Sequence, residues 1–419
     1  MISFTRIAAG LLAAAVLASA ADYSGAVLDS ATGKPISGAI VTVGSTVVRA
    51  DAHGHFAISA NGPSVLARAY GYGRTGVTAD AHGAKHMQLR LAKVRPHAVY
   101  LSYWGVGSKA VREPVLRLAS DTSINAVVID VKDDHGFLSY RAAVPLAAQI
   151  GAEKIATIPD IHALLGSLHR RGFYTIARIV TFRDNVLCTA RPQFAVLKNG
   201  KLFRDLEGLA CCDPFARQVR EYNIAIAVDA AKQGFDEIQF DHVRFPAFKG
   251  LTFSRPSTEE SRSKAIDSFL AEARDKLVPY NVFLAGDVFG YICWNKGDTD
   301  VGQKIQDLAN VLDYISPMLY PSGFQYGIPK YRDPVAHPYE IVRLSLDRAR
   351  ERTNLDPIRF RPWLQAFRDY AFDRREFGRA QIQAQIKAAD SFGSDGWLLW
   401  NPRNVYSAAA IGIKRHPGI

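Results

Sequence analysis

Three aspartates carry the most chemically pointed pattern in this chain: Asp130 in AVVIDVKDDHG, Asp241 in EIQFDHVRFP and Asp287 in VFLAGDVFGY. Each closes a short apolar run and is followed by polar or aromatic residues. Paired carboxylates suit the cleavage of a glycosidic bond. One is held protonated to give a proton to the leaving oxygen, and the other is ionised to attack carbon or activate water. Asp241 is the expected nucleophile or base, Asp287 the expected acid, and Asp130 a third carboxylate that orients substrate or tunes the other two. Trp104, Tyr320, Trp363 and Trp400 offer flat faces for sugar rings. Lys132, Arg178, Arg244 and Gln365 are expected to hold hydroxyl or acidic groups, and the cations also lower the pKa of a nearby carboxylate. Each reading has a plainer competitor. Asp130 or Asp287 can pair structurally with Lys132 or an arginine, and Asp133 and Asp134 read as a solvated acidic pair. His242 is expected to face the helices if Asp241 faces inward.

The elements that would position these groups follow from periodicity. In GFDEIQFDHVRFP, Phe235, Ile238 and Phe240 alternate with Glu237, Gln239 and Asp241, so a strand here has one polar face. Such a strand lines a polar interior or lies exposed at an edge. Eight apolar runs recur from residue 97 onward: Ala98–Trp104, Ala126–Val131, Tyr174–Thr181, Glu237–Val243, Val282–Phe289, Tyr314–Tyr320, Arg359–Ala366 and Gly396–Trp400. Amphipathic segments separate them, the clearest being 158–171, 214–233, 257–277, 301–312, 338–352 and 379–392. Alternation of this kind predicts an α/β (β/α)8 TIM barrel, whose reactive groups lie at the C-terminal ends of the strands. All the residues named above fall at or near those ends. A doubly wound open sheet is the competitor, but Gly105-Val106-Gly107 does not extend into GxGxxG.

Residues 22–92 have a different character, with short strand-like runs separated by Gly, Pro, Asn and Asp turns, and predict a small β-sandwich over 21–92. Ahead of it, residues 1–20 have Arg6, an apolar run from Ile7 to Leu17 and Ala18-Ser19-Ala20, the layout of a cleaved export signal. That run is shorter than the roughly 18 residues of a membrane span, and no later segment is apolar enough. The expectation is an exported protein, periplasmic or extracellular, without a transmembrane segment. The net charge of +11 favours anionic partners, but the basic residues are scattered, which argues against nucleic acid. Of the four cysteines, Cys188 is expected to pair with Cys211 or Cys212, leaving Cys293 unassigned. No CxxC, HExxH or GxSxG occurs, and the one HxH, His53-Gly54-His55, reads as a hairpin turn with solvent-facing histidines, so neither a metal, a cofactor nor a serine nucleophile is called for.

Two resemblances sharpen this reading. SGAVLDSATGKPISGAIVTV with RADAHGHFAIS and ARAYGYG resembles the carboxypeptidase regulatory-like domain, which implies an accessory sandwich. NAVVIDVKDDHG, ARIVTFRDN, GFDEIQFDHVRFP, GDVFGY, YISPMLYPSGF, RPWLQAF and GWLLWN, in that order, resemble the family called Putative glycosyl hydrolase domain. That resemblance spans about 97–410 and implies a barrel akin to alpha-amylase-like enzymes. There the fourth strand supplies a nucleophilic Asp, matched by Asp241, and the fifth an acidic Glu, where this chain has Asp287, one methylene shorter. The implied activity is hydrolysis of a polysaccharide. The competing function is a non-catalytic glycan-binding or cell-envelope scaffold, which keeps the aromatics but needs no carboxylate pair.

Overall fold

The strand Glu237–Asp241 is buried at every position. Ile238 and Phe240 belong to the apolar layer between the sheet and its surrounding helices, while Glu237 and Gln239 bond to groups of other strands across the interior. The same division recurs in the neighbours: Tyr174 and Ile176 face an inner cluster with Tyr100, Val128, Phe283 and Trp363, whereas Ala177 and Ile179 join the outer layer. The computed structural model describes residues 20–78, 80 and 82–414. The expected signal, residues 1–20, lies outside these save for Ala20.

The sheet is a closed barrel of eight parallel strands. In chain order they are His97–Leu101, Ala126–Lys132, Tyr174–Val180, Glu237–Asp241, Phe283–Phe289, Tyr314–Met318, Trp363–Gln365 and Trp397–Trp400. Each pairs with the next and the eighth pairs with the first, Trp397 opposite His97. This closure rules out the open sheet. Helices follow the strands, and local chemistry sets their ends. Asp160 caps Ile161–Arg170 by accepting from the Ala163 amide at 2.8 Å. Gly234, at φ 112°, ends Arg217–Gln233 in the left-handed conformation and turns the chain into the fourth strand.

The first and seventh strands depart furthest from their apolar runs. The first ends at Leu101 because the Ser102 hydroxyl accepts from the Gly105 amide and starts a helical turn, Tyr103–Gly107. The seventh contains only Trp363–Gln365, since Pro357–Arg359 forms a 3-10 turn and Pro362 has no amide to donate.

The N-terminal residues form two sheets around one core. Ala21–Asp29 lies between His55–Ala60, antiparallel, and Ala84–Leu91, parallel. The second sheet runs Thr46–Arg49, Ile40–Val43, Ser64–Arg68, Thr75–Thr78. Tyr23, Val27, Val41, Phe56, Val65 and Leu89 pack between them. This unit sits on the N-terminal end of the barrel. Arg68 donates to Asp313 at 3.0 Å and to Asn281 at 3.1 Å, just ahead of the sixth and fifth strands. Arg74 donates to the Gly234 carbonyl at 2.8 Å, ahead of the fourth. Among the described residues no helix is long and apolar enough to cross a membrane.

Arg68 and Asp313 are both buried, so removing one partner leaves a charge stranded. Arg68→Ala is expected to cost about 3 kcal/mol of unfolding free energy, read as a lowered denaturant midpoint. A loss below about 0.5 kcal/mol, the scale of an ordinary surface substitution, would mean that the sandwich does not brace the barrel.

Candidate active site

Register brings the charged groups together. Arg178 on the third strand stands directly opposite Asp130 on the second and Gln239 on the fourth, and Asp241 lies one inward position above Gln239. The Arg178 guanidinium therefore reaches both carboxylates. Its Nη1 donates to Asp130 Oδ1 at 2.7 Å, and its Nε and Nη2 donate to Asp241 Oδ2 at 2.8 and 2.6 Å. Trp400 lies 4.8 Å and Tyr100 5.5 Å from the guanidinium carbon, placing the cation against two aromatic faces. Asp130 is further held by the Tyr100 hydroxyl at 2.5 Å and the Tyr103 amide at 3.1 Å.

This crowd separates the carboxylates electrically. Burial pushes Asp241 up, but Arg178 and then His242 outweigh it and hold the carboxyl down at about 2. At Asp130 burial prevails over Arg178 and raises the carboxyl to about 6. Asp287 is 1% exposed. Burial, then the charge of Asp241, raise it well above the ordinary range. Its Oδ1 accepts from the Trp363 indole at 2.6 Å, while Oδ2 has no partner among the described residues. Asp241 and Asp287 thus have opposed protonation tendencies.

Above them opens a cavity of about 650 Å³ at the C-terminal end of the barrel. Asp241, Arg178, Arg244, Tyr320, Trp363 and Trp400 all line it. Asp130 and Asp287 do not reach its wall and are joined to it through Arg178 and Trp363. Three expected ligand-holding residues lie elsewhere. A register shift after Arg178 leaves Lys132 opposite Ile179. The bulge turns Lys132 outward, where it donates to Asp184 and Asn223, both at 2.7 Å, fully buried under helix Arg217–Gln233. Gln365 is buried and spent on Ser322, accepting from its amide at 3.0 Å and donating to its hydroxyl at 2.7 Å. Trp104, carried away by the Ser102-capped turn, is 63% exposed and outside the cavity.

Other residues enter in their place. Asp134 lines the cavity instead of facing solvent as half of an acidic pair, and Asp133 is buried, accepting from the His135 and Phe137 amides. Asp134 Oδ1 lies 3.4 Å from Arg178, 3.5 Å from Arg183 and 3.4 Å from His242. His242 also lines the cavity, contrary to strand alternation. Its backbone is left-handed, φ 45°, so the strand has already ended and consecutive side chains both face the mouth. Burial pushes this imidazole down, against the pull of Asp241 and Asp134. Asp134 and Arg183 follow the ends of strands two and three, where sequence could have drawn attention to them; nothing local marks His242 as left-handed.

A disulfide joins Cys188 to Cys212, with Cα atoms 6.0 Å apart. It ties helix Asn185–Ala190 to the loop that returns to helix Arg217–Gln233. Cys211 and Cys293 are free and buried, and burial pushes both thiols up to about 12. Among the described residues no group of three or more His, Cys, Asp or Glu side chains could hold a metal ion.

Because Arg178 opposes the burial of Asp241, Arg178→Gln is expected to raise the Asp241 carboxyl from about 2 to above the ordinary carboxylate range. A carbon-13 NMR titration of the aspartate carboxyls reads this directly. The stability drawn from this depressed carboxyl is present above the ordinary carboxylate pKa and is lost as pH falls towards 2. In Arg178→Gln that acid-side stabilisation disappears. An Asp241 still titrating near its original value would assign the depression to His242 and the backbone instead.

A search of the curated proteins found no match. Among solved structures, a hypothetical protein from Ruminiclostridium thermocellum is 38% identical over 45% of this chain and 97% of its own, with a TM-score of 0.41. The glycoside hydrolase domain of PgaB (BpsB) from Bordetella bronchiseptica is 13% identical over 74% of this chain and 94% of its own, TM-score 0.51, a likeness of fold. Alpha-L-fucosidase isoenzyme 2 from Paenibacillus thiaminolyticus is 14% identical over 76% of this chain and 48% of its own, TM-score 0.49. The family described as Putative glycosyl hydrolase domain matches residues 98–406, the whole barrel from first strand to last, and the chain belongs to that family.

Proposed function

We propose that the protein is an exported glycoside hydrolase that cleaves O-glycosidic bonds within a polysaccharide, using Asp241 and Asp287. The observation that carries this reading is the pair itself: two aspartates on adjacent strands, one held ionised and one held protonated, at the base of an aromatic cavity. Environments that push two carboxyls apart in pKa divide the labour of acid and base. Asp287, which lies just behind the cavity wall and whose Oδ2 has no partner among the described residues, passes its proton to the departing glycosidic oxygen through one bridging water. Asp241, ionised, attacks the anomeric carbon or takes a proton from the water that does. The C–O bond breaks, and water supplies hydrogen to one fragment and hydroxyl to the other. Asp130 fixes Arg178, and Arg178 fixes Asp241. Trp400 and Tyr320 supply apolar faces for the sugar rings, while Trp363, 1% exposed, holds Asp287 through its indole.

Export by the leader at residues 1–20 agrees with the Cys188–Cys212 disulfide, which is at home in an oxidising compartment. The N-terminal sandwich, regulatory-like in sequence, serves as an accessory base, since it sits at the barrel end remote from the cavity.

Reducing-sugar release from a panel of polysaccharides tests the reaction. Asp241→Asn is expected to lower it by roughly 1000-fold, the scale of a lost acid or base group. For wild type, activity persists on the acid side until pH nears 2, where Asp241 takes up a proton. It falls on the alkaline side as Asp287 loses its raised proton, and Asp287→Asn removes that alkaline limb. Glycan binding without release by wild type would instead favour the scaffold reading, and unchanged release by Asp241→Asn would remove Asp241 from the mechanism.

A further inference from the structure

The charged groups around the cavity are paired, with one exception among the described residues. Arg178 serves Asp130, Asp134 and Asp241. Arg183 donates to Asp205 at 2.7 Å and lies 2.8 Å from Glu207. His242 faces Asp134. Arg244 makes neither a hydrogen bond nor an ion pair, and its guanidinium lies 5.8 Å from the centre of the Phe289 ring, on the cavity wall. Its position is set by the backbone on both sides: Gln303 donates to the Val243 carbonyl at 3.1 Å, and the Phe245 amide donates to Val301 at 2.8 Å. The backbone is therefore fixed on either side of Arg244, and its guanidinium has no carboxylate in ion-pair contact among the described residues.

Such an arrangement has a cost. Arg244 is half-buried on the cavity wall; partial burial pushes it down from its ordinary value, against the pull of Asp241, and a guanidinium that has lost part of its water gains from a counter-ion in contact. Neutral sugar hydroxyls offset little of this. A carboxylate offsets it well, because its two oxygens match the planar donor fork. The other negative groups on the wall, Asp134, Asp241 and Glu207, already have cationic partners. The net charge of +11 also favours the approach of a polyanion.

We infer that Arg244 is a recognition site for a carboxylate on the substrate's sugar units, so that the polymer bound in this cavity is an acidic, uronate-type polysaccharide with one ring against Phe289. This rests on the hydrolase reading for its placement beside the reacting bond, but its test does not require cleavage.

Calorimetric titration of the full chain with oligogalacturonate, oligoglucuronate and oligomannuronate, each beside its carboxyl-reduced form, reads the preference directly. At low ionic strength at least one acidic oligosaccharide is expected to bind roughly 10- to 100-fold more tightly than its reduced counterpart, the scale of a charge-assisted pair. Arg244→Ala abolishes that preference. Arg244→Lys, which keeps the charge but lacks the fork, retains part of it, and thermal melts confirm that both variants are folded. A preference that survives in Arg244→Ala overturns the inference, as does its absence in wild type for every pair, lack of binding included. Reducing-end release measured alongside separates the two readings. Arg244-dependent binding without cleavage leaves this site standing and removes the hydrolase, whereas cleavage of neutral polymers alone does the reverse.

Discussion

A guanidinium inside a barrel is expensive to desolvate, and the catalytic end of this protein is arranged around that constraint. Arg178 is 1% exposed and remains charged because Asp241, Asp130 and Asp134 surround it. Each carboxylate in turn is settled by its share of that cation. Asp241 takes two of its donors and is driven down, Asp130 takes one and stays near 6, and Asp287 takes none and is driven well up. Burial raises all three and this one cation opposes it unequally, so their protonation states part in a way that no aspartate would acquire from its own strand. The strand register, a backbone property, is what allows the sharing.

The lower barrel repeats the device for a different purpose. Arg361 bonds Glu237 and, at 2.9 Å, Asp395, and the Tyr174 hydroxyl donates to Glu237 at 2.9 Å. Tyr174, Tyr314 and Phe283 fill the interior there, and the sandwich covers the end. The polar face of Glu237–Asp241 therefore serves two ends of one barrel: Glu237 in a closed ion cluster, Asp241 beneath an open cavity. Buried ion pairs are weak sources of net stability compared with apolar packing, so their value here lies in fixing geometry.

Much of this was legible from the chain. Alternation in GFDEIQFDHVRFP gave the inward face of the fourth strand, and counting strand–helix units led to the closed barrel. Two of the misreadings, Lys132 and His242, share a cause: a strict two-residue period extended past the point where the backbone keeps it. Lys132 is two residues beyond Asp130 and would share its face in a regular strand, but a bulge intervenes. His242 would face away from Asp241, but the chain turns left-handed there. Trp104 belonged to an apolar run whose end was set by a serine cap. Asp134 looked like half of a solvated pair because its partners, Arg183 and His242, come from other strands. Side-chain types mark where strands end only within a residue or two, and that margin decides which group enters a cavity.

The docking of the sandwich carries a spatial consequence. Arg68 and Arg74 attach it around Asp313, Asn281 and Gly234, all at the barrel end opposite the cavity. Whatever the sandwich holds is thereby kept a full barrel length from whatever enters the mouth, with the rigid strands between them. The two ends can be occupied at once without competing for space, and a protein fastened by its sandwich would present its cavity outward, away from the point of attachment.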